Sequence, residues 1–397
     1  MTNANILPQS HQRLAAFIEN CSRSPLTAGN SVRLLLNGEE KFPVLLEALK
    51  TATSHIHLEY YIYEDDFTGK AIADILVQKA QEGVAVRFLY DDFGSHDLGK
   101  KFLFRLKEAG VETAPFYEVK WYAFANRINY RNHRKIIIID GKKSFVGGIN
   151  ISDKYRNDID DNKPLYWRDT HFMIEGRATF YLQYLFLCDW NFCHKIKLDF
   201  GTDFFPMYSA EEAIKKELVQ IVASGPDSDL PVILYSLIEA IGSAQKKILL
   251  TSPYFIPGES LVDHLIIAAK SGVEVKILIP GISDSKIVNA AARSYYTELL
   301  RHGARIFEYQ KGFVHAKTMV IDDSLAMVGS ANMDYRSFDL NFEVNALVYS
   351  YEINAQLNDA FYIDLKASVE INAGDWLSRP KYIHIWEKFI RLLSPFL

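Results

Sequence analysis

The pattern H-x-K-x4-D occurs twice in this chain, and its repetition limits the fold more than any other feature. The first copy is His133-Arg134-Lys135, four isoleucines (Ile136 to Ile139) and Asp140. The second is His315-Ala316-Lys317, Thr318 to Ile321 and Asp322. Each is followed by a glycine turn and an asparagine, Gly147-Gly148-Ile149-Asn150 and Gly329-Ser330-Ala331-Asn332. Histidine and asparagine stand 17 residues apart in both copies, and the two histidines are 182 apart. A period near half of 397 residues marks a duplicated chain.

The surroundings repeat as well. His55 to Tyr63 predicts a strand, Gly69 to Glu82 a helix and Gly83 to Leu89 the next strand; Lys247 to Tyr254, Leu261 to Lys270 and Gly272 to Leu278 follow the same order. One more helix in each half ends at Gly110 or Gly303, where glycine suits a helix C-terminus. Such alternation predicts an α/β fold of two homologous halves, each a mostly parallel sheet flanked by helices, packed pseudo-twofold around one active site. The expected division is an N-terminal segment 1–30, a first half 31–200, a second half 201–365 and a tail 366–397, with the junction near Gly201 to Ser209.

Residues i and i+2 of a strand share a face, so His133 points with Lys135 and His315 with Lys317. The apolar run behind each lysine reads as a strand buried on both faces. The glycine turn then brings Asn150 or Asn332 back toward the start of its strand. If the halves face each other, two lysines and two asparagines surround a compact anion such as a phosphodiester. Two imidazoles then stand on opposite sides of it, one to attack phosphorus and one to protonate the leaving oxygen. The lysines supply the positive charge, so no metal or other cofactor is expected.

The duplicated motif resembles the hallmark of the phospholipase D superfamily, and within it the chain is similar to bacterial cardiolipin synthases. The likeness runs from about Ser24 to the C-terminus. It includes His57 to Tyr61 (HLEYY), Leu89 to Ser95 (LYDDFGS), Asn132 to Asp140 (NHRKIIIID), Trp167 to His171 (WRDTH) and Gly329 to Tyr335 (GSANMDY). The resemblance implies catalytic His133, Lys135, Asp140, His315, Lys317 and Asp322, with Asn150 and Asn332 at the phosphate. It also implies an acidic residue downstream of each motif that holds the histidine of the opposite half. Glu343 is the match in the second half. In the first, the same offset lands on Asp161, but the strand pattern from Asp169 to Ile174 aligns better with Glu343 to Val348, so Asp169 is assigned. By the resemblance, Glu343 orients His133 and Asp169 orients His315. The implied reaction is phosphatidyl transfer between two phosphatidylglycerols through a phosphatidyl-histidine on His133, with His315 as acid and then base. Cleavage and transfer share every catalytic residue, so a phospholipase D-type hydrolase stays open, as does a nuclease of the same superfamily.

The chain carries 44 Lys and Arg against 49 Asp and Glu, a net charge of −5, which disfavours nucleic acid as a partner. Three cysteines, Cys21, Cys188 and Cys193, make no disulfide framework and suit a reducing compartment. No apolar run reaches the roughly 18 to 20 residues that span a bilayer, although synthases of this type often carry N-terminal transmembrane helices. Peripheral attachment to the cytoplasmic face of the cell membrane is therefore expected. Two segments are candidates for the contact with an anionic lipid surface. One is the aromatic and basic stretch Phe116 to Tyr130. The other is a C-terminal helix with Tyr382, Trp386, Phe389 and Leu393 on one stripe and Lys381, His384, Lys388 and Arg391 on another. His55 and His57 lie two apart on a strand with no further ligands beside them, and Cys188, Cys193 and His194 lack the spacing of a zinc site, so both sets read as structural. Asp91 and Asp92 end a strand at the sheet edge, where they either position the site or cap a turn.

Overall fold

The computed structural model describes residues 7–117, 129–159, 165–208, 216–283 and 285–392. The strands of the first half are β1 (Thr27–Leu36), β2 (His55–Tyr60), β3 (Ala85–Asp91), β4 (Glu112–Phe116), β5 (Arg131–Asn132), β6 (Lys135–Ile139), β7 (Lys143–Gly147), β8 (Tyr166–Arg168) and β9 (Thr170–Glu175). Those of the second are β10 (Glu217–Ser224), β11 (Lys247–Thr251), β12 (Glu274–Pro280), β13 (Arg305–Tyr309), β14 (Gly312–Val314), β15 (Thr318–Ile321), β16 (Leu325–Gly329), β17 (Asn341–Tyr349) and β18 (Ser368–Glu370). The helices are α1 (Gln9–Ser22), α2 (Asn37–Lys50), α3 (Phe67–Gln81), α4 (Lys100–Glu108), α5 (Thr179–Cys193), α6 (Val232–Ser243), α7 (Gly258–Lys270), α8 (Lys286–Arg301), α9 (Tyr335–Asp339), α10 (Tyr351–Lys366), α11 (Ala373–Leu377) and α12 (Lys381–Arg391).

The two halves share one continuous sheet in the order β18-β13-β12-β11-β15-β16-β17-β10-β1-β9-β7-β6-β2-β3-β4. Read outward from the β10–β1 junction, the order is the same on both sides, with β18 added at one edge. The α/β class and the duplication are as the sequence predicts. The sheet itself is mixed rather than mostly parallel. The β2-β3-β4 and β11-β12-β13 triplets are parallel, as helical crossovers require. The motif strands pair antiparallel, β6 with β2 and β7, and β15 with β11 and β16. Three-residue turns, Asp140 to Lys142 and Asp322 to Ser324, join β6 to β7 and β15 to β16 as hairpins, and such short links can only produce antiparallel neighbours.

The four isoleucines show why the motif strand lies in the interior. Ile137 and Ile139 enter the core under α2 and α3, while Ile136 and Ile138 enter a second core shared by strands of both halves and by α5 and α10. The second copy does the same with Met319 and Ile321 on one face and Val320 on the other. α1 precedes the first half in sequence yet packs on the second: Leu14, Ala15 and Ile18 share a core with Leu237 and Ile241 of α6.

The C-terminal helix turns Trp386 and Phe389 outward, as a lipid contact needs, and departs from expectation in part of its basic stripe. Its basic stripe was expected to meet lipid, but Arg391 turns inward to Glu259 (2.5 Å) and Glu298 (3.8 Å) and lies over the Tyr295 ring. His384 also faces the protein, beside Thr297 and Glu387. Tyr382, Ile385, Trp386, Phe389 and Leu392 point outward, each more than half exposed. The acids and tyrosine offered by α7 and α8 decide which stripe docks, and the helix pattern alone does not contain them. No helix among the described residues is long and apolar enough to cross a membrane.

Candidate active site

Both histidines are placed by short strands that cross between the halves. β5 pairs in parallel with β17, Phe342 opposite Asn132, and the His133 N–H donates to the Phe342 carbonyl at 3.0 Å. β14 pairs in parallel with β8, Val314 opposite Arg168, and the His315 N–H donates to the Arg168 carbonyl at 2.7 Å. One residue further on, each register sets a histidine against an acid of the opposite half. His133 Nδ1 donates to Glu343 Oε1 at 2.8 Å, and His315 Nδ1 donates to Asp169 Oδ2 at 2.7 Å. Nδ1 is thereby occupied and Nε2 is the ring nitrogen left for chemistry. Ser330 holds the other Glu343 oxygen. The corresponding position in the first half is Gly148, where a β-carbon would overlap the Asp169 carboxylate.

Lys135 and Lys317 lie beside the histidines, as i and i+2 placement requires. Lys135 Nζ donates to the His133 carbonyl at 2.6 Å, and Lys317 Nζ to the His315 carbonyl at 2.5 Å. Lys317 Nζ is also 3.0 Å from the His315 ring nitrogens. Burial pushes the Lys135 ammonium down to about 7, and Lys317 nearby adds to the shift. Burial also lowers both imidazoles; with Lys317 beside it, His315 falls to about 3. Both carboxylates stay below their usual range despite burial, because each faces a histidine and a lysine.

One cleft of about 340 Å³ is lined by both histidines, Asn150 and Asn332, together with Tyr61, Tyr155, Trp167 and Tyr254. The asparagines are not equivalent. Asn150 is tied to the Tyr155 hydroxyl (2.8 Å) and the Ile62 N–H (3.3 Å), whereas Asn332 Oδ1 has no partner among the described residues. The last motif residues lie away from the cleft. Asp140 accepts from the backbone N–H groups of Thr53, Ser54 and His55, and Asp322 from those of Gln245, Lys246 and Lys247. Five residues along the strand separate Asp140 from Lys135, roughly 16 Å at about 3.3 Å per residue. The two aspartates lock the entry of β2 and β11; they do not reach the cleft.

Several residues around the histidines were given no individual role by the sequence, although Tyr61, Asp91 and Trp167 fall in segments that carry the resemblance. Tyr61 packs edge-on against His133 at 4.7 Å, and Trp167 lies 5.6 Å from His315. Lys41 is fully buried on α2 and donates to Tyr60 Oη and the Ile149 carbonyl. Nothing in the sequence sets it apart from a surface lysine. Asp91 is a positioning group: it takes the N–H of Asn132 at 2.9 Å as well as those of Phe93 and Gly94. His55 and His57 share Gln183, and no group of three His, Cys, Asp or Glu suited to a metal occurs among the described residues. Asp161 and most of the aromatic stretch, residues 118–128, lie outside the described residues.

Comparison with known proteins places this geometry in a family. The sequence profile of the cardiolipin synthase, phospholipase D-like domain matches residues 45–170 and 237–365, one match per half. A Geobacillus cardiolipin synthase is 45% identical over 391 residues, 98% of this chain and 76% of that protein. The chain belongs to the cardiolipin synthase family of phospholipase D-like proteins. The major cardiolipin synthase of Bacillus subtilis is likewise 45% identical, over 94% of this chain and 76% of the relative. Among solved structures, a Haemophilus influenzae phosphatidylserine synthase superposes with a TM-score of 0.70 over 97% of this chain and 100% of its own, at 15% identity. A Porphyromonas gingivalis polyphosphate kinase gives 0.57 at 13% identity, over 92% of this chain and 54% of that one. These two share the fold. The family match in each half coincides with the two strand sets that carry the histidines.

Proposed function

We propose that this chain is a cardiolipin synthase that transfers a phosphatidyl group from one phosphatidylglycerol to another. The observation that carries the reading is the reciprocal pairing of each histidine with the buried acid of the other half, at the floor of a cleft beside two buried lysines. His133 Nε2 attacks the phosphorus of the first lipid. The P–O bond to glycerol breaks, and His315 gives its proton to the leaving oxygen. Both imidazoles rest neutral; the negative charge of the entering phosphodiester offsets Lys317 and lets His315 take up that proton. His315 then accepts the proton of the terminal hydroxyl of a second phosphatidylglycerol, whose oxygen displaces His133 from phosphorus. Two phosphatidylglycerols become one cardiolipin and one glycerol. Lys135 and Lys317 stabilise the pentacoordinate phosphorus, and Glu343 and Asp169 hold the imidazole tautomers. Tyr61, Tyr155 and Trp167 wall the cleft against water, which favours transfer over hydrolysis.

The lipid is reached from the surface of the membrane. The outward apolar face of α12, flanked by the exposed Lys381 and Lys388, suits insertion into an anionic bilayer. Three free cysteines, one of them exposed, fit its cytoplasmic face. The test is to incubate the protein with phosphatidylglycerol vesicles and weigh the lipids. Cardiolipin with glycerol is expected, together with a phosphatidyl adduct on His133 that persists in His315→Asn. Phosphatidic acid alone would make the protein a hydrolase, and an adduct on His315 would reverse the histidine roles.

A further inference from the structure

The cleft breaks the pseudo-twofold symmetry that builds it. Arg131, two residues before His133 on β5, corresponds to Phe313 in the other half, because His133 and His315 are equivalent. Asn341 corresponds to Trp167, one residue before the strand positions that bond the two histidines. Arg336 corresponds to Lys154, as Asn332 does to Asn150. Arg131, Arg336 and Asn341 all line the cleft on the His133 side. On the His315 side the same places hold two aromatic rings, 5.1 Å apart, and a lysine already bound to Glu64 at 2.6 Å.

Both guanidiniums are unpaired with any carboxylate among the described residues. Arg131 is buried, stacks on Phe93 at 4.4 Å and donates to the Tyr130 carbonyl; Arg336 donates only to the Asn129 carbonyl at 3.3 Å. Two acids lie within electrostatic reach, Asp91 of Arg131 and Asp334 of Arg336, the latter lining the same cleft. Asp91 accepts three backbone N–H groups and Asp334 the Ser337 N–H, and burial pushes both carboxyls up to about 6, which weakens their hold on the arginines. Asn332 and Asn341 each present a side-chain oxygen without a donor. Two buried or half-buried cations and two free acceptors in one cleft fit an anion that carries hydroxyls.

Resting on the reading of the chain as a synthase, we propose that Arg131 and Arg336 form a second phosphate subsite, which holds the phosphodiester of the acceptor lipid. The reacting phosphodiester is met by Lys135 and Lys317. An acceptor phosphatidylglycerol brings another phosphodiester, three carbons from its attacking oxygen. That charge is repelled by the first phosphate and by Glu343 and Asp169, so it needs cations of its own. Water and free glycerol bring no such charge. The arginines therefore select a lipid as the acceptor, and Asn332 and Asn341 receive its glycerol hydroxyl.

The experiment measures two reactions of the full chain on phosphatidylglycerol vesicles: cardiolipin formation, and exchange of labelled glycerol into phosphatidylglycerol. Exchange uses the same covalent intermediate with an acceptor that lacks a phosphate. Arg336→Gln is expected to lower the ratio of cardiolipin formation to exchange by about tenfold or more, the scale of one lost charge-assisted contact. Arg336→Lys is expected to restore part of it. Arg131→Gln should shift the ratio the same way, and Lys154→Gln should leave the ratio at the parent's value. Equal loss of both reactions in Arg336→Gln would overturn the subsite. A parent protein that exchanges glycerol but makes no cardiolipin would overturn the synthase reading itself, before any variant is made.

Discussion

Lys135 is a buried cation held near 7 by desolvation, so its charge depends on pH within the working range. A lysine whose value is depressed is charged below it and neutral above. In the free enzyme Lys135 thus loses its charge as the pH rises through neutrality. We expect kcat/KM for phosphatidylglycerol to fall on the alkaline side with an apparent value near 7. The matching limb of kcat should lie higher, because bound phosphodiester favours the ammonium. An alkaline limb in kcat/KM only above pH 9 would show that Lys135 stays charged in the free enzyme. Asp140 behaves differently, since it serves the fold. Burial would raise its carboxyl, but the N–H groups of Ser54, His55 and Thr53 hold it below the usual range. Its stabilisation is present at neutral pH and is lost as the pH falls through its depressed value. Asp140→Asn should cost about 1–3 kcal/mol of stability, the scale of bonds to a charged acceptor, read as a lower thermal midpoint. A loss of turnover with unchanged stability would return Asp140 to the chemistry. Here the sequence misleads, because a motif letter says which residue recurs and not which end of the strand it occupies. The histidines and lysines were legible, since period-two placement and duplication fix their directions; the opposing acids Glu343 and Asp169 were named only through the family resemblance. Arg131, Arg336 and Lys41 were not legible, since only the folded chain, the cleft for the arginines and the interior beneath α2 for Lys41, distinguishes them from surface cations.

At the scale of elements, the helices and strands around the motifs were legible to within a few residues. The helix expected over Gly69 to Glu82 runs Phe67–Gln81, started by Asp66, whose carboxylate accepts the Gly69 N–H. Apolar periodicity marks such elements because each buries a complete face. Which basic residues of the C-terminal amphipathic helix dock inward was not legible. α12 exposes its apolar stripe because Arg391 and the buried Glu387 satisfy partners on α7, α8 and Arg379, and burying two charges unpaired would cost more than leaving rings in water. The apolar stripe is then available to a bilayer. Replacing Trp386 and Phe389 together by Ser should lower binding to phosphatidylglycerol vesicles by about tenfold or more, from the apolar area withdrawn from the membrane. Thermal stability should be retained, since neither ring is buried in the core. Co-sedimentation equal to the parent's would exclude α12 as the contact and leave the segment around Phe116 to Tyr130 as the candidate.

The whole molecule has one site because neither half can complete its own. Each histidine depends on an acid that the other half supplies through a two-stranded crossing, and each crossing is two or three residues long. The duplication was legible from the 182-residue period; the continuous sheet was not, because β1–β10 pairing joins segments nearly 200 residues apart with no shared motif. The packing of α1 on α6 was hidden for the same reason. These long-range joins tie the halves together within a single chain: β1 and β9 on one side, β10 and β17 on the other, with a shared core between α5 and α10. Exchange of halves between two copies would require breaking the β1–β10 pairing, the shared core and the α1 contact at once, which amounts to unfolding. The prediction is that mixing His133→Ala with His315→Ala, each otherwise intact, restores no activity. Each variant alone should lose nearly all turnover, because the two histidines act as a unit, and the mixture should give only the sum of the residual rates at any protein concentration. Recovery of about a quarter of the parent's rate, rising with concentration, would mean that halves pair between chains and that the site belongs to a dimer.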